Sequence, residues 1–113
     1  MALPHPLPDD LAELIARRFR LLAEPMRVKL LDRLRDGEAS VNELSEELGA
    51  SQQNASKHLA MLAEAGMLAR RKDGNHVYYR IADEGVFALC DQVCGSVQQQ
   101  LQALNQLVGG AGR

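Results

Sequence analysis

Two helix signatures meet head to tail around residue 50, and no other feature restricts the fold as much. Ser40-Val-Asn-Glu43 has the spacing of a capping box, in which the Ser and Glu side chains satisfy each other's free backbone N–H groups. Leu44 and Leu48 follow on one face, and Gly49 supplies a stop. Ser51 then caps a second helix that carries Leu59 and Leu62 toward Gly66. Two short helices joined by so tight a link predict a helix-turn-helix.

The flanking segments complete the pattern. Residues 1–8, with prolines at 4, 6 and 8, read as a flexible leader. Asp9-Asp10 opens a helix with Leu11, Ile15, Phe19 and Leu22 at helical spacing. Pro25 suits the first turn of the next helix, whose apolar face is read as Val28, Leu30, Leu31 and Leu34, with Gly37 as its stop. Beyond Gly66, Met67–Lys72 and His76–Ile81 flank Asp73-Gly74-Asn75. Val77, Tyr79 and Ile81 alternate with His76, Tyr78 and Arg80, the period of a β-hairpin around a turn of φ > 0 residues. From Asp83 to about Val108, Phe87, Cys90, Cys94, Val97, Leu101, Leu104 and Val108 recur at alternating three- and four-residue spacing, as in a coiled-coil seam. Residues 109–113 read as a flexible tail. The expected fold is mainly α with a small β-hairpin (α+β), a winged helix-turn-helix of order ααααββα in one domain over residues 9–108.

Composition narrows the function classes. A chain of 113 residues suits one domain, and no apolar run approaches the roughly 20 residues of a membrane span. The N-terminus has no basic stretch before an apolar core, so a cytoplasmic protein with no membrane partner is expected. The two cysteines, Cys90 and Cys94, are not the framework of a secreted disulfide domain and are expected to be reduced. A phosphate-binding glycine loop, paired catalytic carboxylates and a nucleophile with an evident base are all missing from the sequence, which argues against an enzyme.

A net charge of −2 means that a nucleic-acid role must rest on where charge sits. From Ser56 to Arg80 there are five Lys or Arg against two acids. On the fourth helix Ala55, Leu59 and Leu62 share one side, while Gln53, Ser56, Lys57 and Ala60 lie roughly opposite. Gln and Asn pair with adenine edges, Ser bonds base or phosphate, and Lys reaches phosphate or guanine. Gln52, Gln53, Asn54, Ser56 and Lys57 are therefore the candidate reading surface for double-stranded DNA. Arg70, Arg71, Lys72 and Arg80, with His76, make the hairpin the candidate wing, whose tip follows the phosphate backbone or enters the minor groove. His58 lies nearer the apolar side, and a structural hydrogen bond and a DNA contact stand as equal readings. The plain alternatives are a solvated helix start, an edge strand guarded by charge, and a winged helix used as a protein-interaction module.

These stretches resemble the ArsR/SmtB family of bacterial winged-helix repressors. The resemblance rests on Leu22-Ala-Glu-Pro-Met-Arg27 leading into Leu30-Leu31, Val41-Asn-Glu-Leu-Ser-Glu-Glu-Leu-Gly49, Ser51-Gln-Gln-Asn-Ala-Ser-Lys-His-Leu59, Leu62-Ala-Glu-Ala-Gly-Met-Leu68 and Gly74 to Tyr79, over about residues 10 to 105. It implies a homodimer joined through the first and last helices, by Leu11, Ile15, Phe87, Cys90, Cys94, Val97, Leu101 and Leu104. It also implies repression of a pseudo-palindromic operator under control of a ligand, such as nickel, zinc, cadmium, copper or arsenite. The sensing motifs depart from the family pattern. The third helix has Val41-Asn-Glu-Leu44 where arsenic and cadmium sensors carry cysteine. The last helix has Asp83-Glu84-Gly85, then Ser96 and Gln99, where zinc sensors carry Asp-x-His and a later His pair or His-Glu pair. Cys90 and Cys94, one turn apart, remain as soft metal ligands, as a redox-sensitive pair, or as packing residues. His5 remains as a nickel candidate, although Pro4 offers no N–H to deprotonate. A metal-responsive repressor, a thiol redox regulator and a regulator without a small ligand all stay open.

Overall fold

The computed structural model describes residues 3–111, in two compact units divided between Ala82 and Asp83. The first unit runs α1 (Asp9–Leu22), α2 (Pro25–Arg33), a 3₁₀ turn (Leu34–Asp36), β1 (Ala39–Ser40), α3 (Val41–Leu48), α4 (Gln52–Glu64), β2 (Leu68–Asp73) and β3 (His76–Ile81). The second is one helix, α5 (Glu84–Ala111).

The helix-turn-helix is held by local hydrogen bonds at every end. Ser40 Oγ accepts from the Glu43 N–H at 3.1 Å while Glu43 Oε1 accepts from the Ser40 N–H at 3.2 Å. At the other end Gly49 takes φ +66°, and the Gly49 and Ala50 N–H groups donate to the Glu46 and Ser45 carbonyls, a Schellman motif. Ser51 Oγ accepts from the Asn54 N–H at 3.1 Å and starts α4. The end of α4 repeats the device: Gly66 at φ +81°, with the Gly66 and Met67 N–H groups on the Ala63 and Leu62 carbonyls.

The core of the first unit gathers Leu30, Leu31 and Leu34 from α2 and its 3₁₀ extension, Leu44 from α3, Ala55, Leu59 and Leu62 from α4, Met67 from the turn before β2, and Leu68 and Tyr79 from the sheet. Leu30, Leu44, Leu59 and Leu62 are fully buried, each worth roughly 1.5–3 kcal/mol of transfer free energy. Val28 is not part of this core and is 40% exposed. At 100° per residue it points roughly 110° away from the mean direction of Leu30, Leu31 and Leu34, so reading it on their face was an error of phase. None of the residues of α1 is buried within the described chain, and Leu14 and Phe19 are exposed.

The sheet has three strands where a hairpin is expected. β2 and β3 pair antiparallel from Leu68↔Ile81 to Asp73↔His76, and β1 adds Ala39↔Tyr79 and Ser40↔Tyr78 on the other edge of β3. A two-residue strand has no alternation to detect. Among the described turn residues only Gly74 has positive φ, the pattern of a type II′ turn.

In the second unit Asp83 Oδ1 accepts from the Gly85 and Val86 N–H groups at 2.9 and 3.4 Å, which caps α5. The helix continues past Val108 to Ala111. Met1, Ala2, Gly112 and Arg113, at the ends of the expected leader and tail, lie outside the described residues.

Candidate nucleic-acid interface

α4 carries the candidate reading surface on the side turned away from the core. Gln52, Gln53, Asn54, Ser56, Lys57 and Ala60 are exposed, while Ala55, Leu59 and Leu62 on the same helix are fully buried. The buried side therefore dictates which way the polar side looks. The N-terminal ends of α3 and α4 and the wing tip line one groove of about 310 Å³, with Asn42, Gln52, Gln53, Ser56, Asn75 and His76 around it. The positive ends of two helix dipoles favour an anion there. Asn42 was not in the sequence-based set; its helix-start position is the signal that pointed to it.

His58 is half-buried at the border of the two sides. Its Nδ1 accepts a 3.0 Å hydrogen bond from Arg27 Nε of α2, which leaves the ring proton on Nε2. The same guanidinium donates to the Leu21 carbonyl at 2.8 Å and to Met61 Sδ at 3.2 Å. Arg27 thus ties α1, α2 and α4 together. It stands in the Leu22–Arg27 motif, but no sequence spacing links it to His58, 31 positions on.

On the wing, alternation along the ladder puts Arg71, Asp73, His76, Tyr78 and Arg80 on one face, and Arg70 and Lys72 on the face of Val77 and Tyr79. Arg71 is engaged within the chain. Its Nη2 and Nε reach the two oxygens of Glu38 at 2.7 and 3.1 Å, its Nη1 stands 3.8 Å from Asp73, and its guanidinium lies 4.5 Å over the Tyr78 ring. The hydrogen bond from Arg71 holds the Glu38 carboxyl below the usual carboxylate range, and the same bond raises Arg71. The tie is therefore intact at neutral pH and is lost only as acid protonates Glu38.

Cys90 is half-buried and Cys94 exposed on α5, and burial is the main cause pushing the Cys90 thiol up, followed by Cys94 and Asp91. His5 is exposed ahead of α1, and Asp83 is a cap. Among the described residues no group of three or more His, Cys, Asp or Glu side chains is placed to hold a metal. Among the described residues, α5 offers two thiols one helical turn apart and not a closed four-ligand zinc site. Of the candidate dimer residues, Leu11, Ile15, Phe87 and Cys90 are half-buried, and Cys94, Val97, Leu101 and Leu104 are exposed. No helix among the described residues is long and apolar enough to cross a membrane.

Residues 22–71 match the family model described as a helix-turn-helix domain. The chain is 45% identical over 83 residues to the HTH-type transcriptional regulator KmtR of Mycobacterium tuberculosis, a match covering 74% of this chain and 64% of that protein, under two thirds of its length. Among solved structures, the AntR antimony-specific transcriptional repressor superposes with a TM-score of 0.80 at 27% identity, covering 88% of this chain and 90% of that one. The homodimeric winged helix-turn-helix DNA-binding domain of a possible ArsR-family regulator from Mycobacterium bovis does so with a TM-score of 0.75 at 32% identity, covering 89% and 94%. With the capped helix pair, the hairpin wing and these likenesses in agreement, the chain belongs to the ArsR/SmtB family of winged helix-turn-helix transcriptional regulators.

Proposed function

We propose that this chain is a cytoplasmic repressor that binds a pseudo-palindromic operator as a homodimer and releases it in response to a ligand. It acts by binding and not by catalysis. The observation that carries the reading is the single groove shared by the exposed face of α4, the start of α3 and the wing tip. Gln53 and Ser56 supply base-edge contacts, Gln52 and Asn54 assist at the helix start, and Lys57 with Arg70, Lys72 and His76 meets phosphate. His58 acts through Arg27, as a support for α4. The exposed apolar residues of α1 and of α5 are the surfaces a second copy covers, as the homodimeric relative suggests. Lys57→Ala is expected to weaken binding to all duplexes alike and to lower the salt slope by about one, whereas Gln53→Ala also relaxes base preference. Gel-shift titrations on the chain's own upstream region and on random duplex check both; equal losses on both DNAs for both variants would contradict the assignment.

For the signal, Cys90 and Cys94 are the best-placed donors. They stand about 6 Å apart along α5, and Cys94 is open to solvent. A two-thiol set, doubled in a dimer, suits a soft ion better than a hard one, and the similar AntR repressor is antimony-specific. Antimonite, arsenite or mercuric ion is expected to weaken operator binding at least about tenfold, and Cys90→Ser with Cys94→Ser to abolish the effect. A response retained by the double variant would remove the thiols from the sensor. A response to mild oxidant alone would make them a redox switch.

A further inference from the structure

Resting on the DNA-binding reading, we propose that Glu38 sets the wing's affinity for phosphate by holding Arg71 back, and so limits sequence-independent binding to DNA. The bidentate grip at 2.7 and 3.1 Å occupies the same guanidinium edge that a phosphate would take. Asp73, 3.8 Å away, and the Tyr78 ring beneath the guanidinium favour the same pose. Glu38 immediately precedes Ala39, which pairs with Tyr79, so its carboxylate lies close to Arg80 as well as Arg71. That sheet face therefore sets two acids against two arginines. His76, on the same face, lines the groove with Gln53 and Ser56, which places this balance beside the reading surface. A phosphate that claims Arg71 must displace one carboxylate and leave it beside a polyanion. The arrangement lowers the electrostatic part of binding, which is the part that ignores sequence.

The test is Glu38→Gln, which keeps the shape and removes the charge, with Glu38→Ala to remove the acceptor as well. Affinity of the full chain for random duplex DNA at about 0.1 M salt is expected to rise about three- to tenfold for Gln and at least as much for Ala, and the log K against log salt slope to steepen by about one. In a chain already carrying Arg71→Gln, the same changes at Glu38 are expected to give less than half of that gain. If the wild type binds and neither Glu38 variant binds more tightly, the proposal fails and the DNA reading stands. An equal gain in the Arg71→Gln background also overturns it, because the effect would then be general charge removal. A wild type that binds no duplex at all overturns the DNA reading and this proposal together.

Discussion

Leu101→Glu combined with Leu104→Glu leaves the purified chain monomeric, with operator affinity lowered about a hundredfold or more. The expectation follows from the second unit taken alone. Leu101 is 54% exposed and Leu104 56% exposed in the single chain, and they continue a seam that includes Cys94 and Val97. The helix carries Glu84 and Asp91 and no basic residue, so two added carboxylates on each copy have no cation on α5 to meet. Full burial of a leucine is worth roughly 1.5–3 kcal/mol, and a pair of like charges in its place adds repulsion and desolvation. On the proposed dimeric reading a monomer engages one half-site, and the avidity of two linked reading helices, commonly about 10² to 10⁴, is lost. Sedimentation and gel-shift titration measure the two effects. A dimer that survives with unchanged affinity would place the interface elsewhere than this stripe.

The second large effect is expected at Leu59. This side chain is fully buried on the inner side of α4, two residues from Lys57 and so roughly opposite the lysine proposed to meet phosphate. Leu59→Ala is expected to cost about 2–5 kcal/mol, a large part of the roughly 5–15 kcal/mol that holds a domain of this size. Its melting temperature should fall by at least about 8 °C. Operator binding should fall as well, since the buried leucine is what keeps Gln53 and Lys57 on the open side. Chemical and thermal denaturation, with binding measured at a temperature where the variant is folded, separate the two losses. A cost below about 1 kcal/mol would show that α4 is not seated through this residue.

Much of the first unit could be read before any coordinates, because its decisive interactions are local. The Ser40–Glu43 box, the Ser51 cap and the glycines at 49 and 66 lie within one helical turn of the groups they satisfy. For the same reason the polar side of α4 could be assigned from period alone, since Ala55, Leu59 and Leu62 recur at four- and three-residue steps. Val28 is legible by the same period, which sets it roughly 110° from the mean direction of Leu30, Leu31 and Leu34 and so off the buried face.

Local sequence set the order of the five helices and the hairpin, the capped helix pair, the two sides of α4 and the basic character of the wing. All of these follow from propensity, period and charge over a few consecutive residues. Tertiary structure alone decided the rest. It paired β1 with β3, tied His58 to Arg27 across 31 positions, and closed Glu38 on Arg71 across 33. Each of these depends on chain segments that meet only after folding, and a guanidinium's choice among acceptors is settled by which of them the fold brings within hydrogen-bond reach.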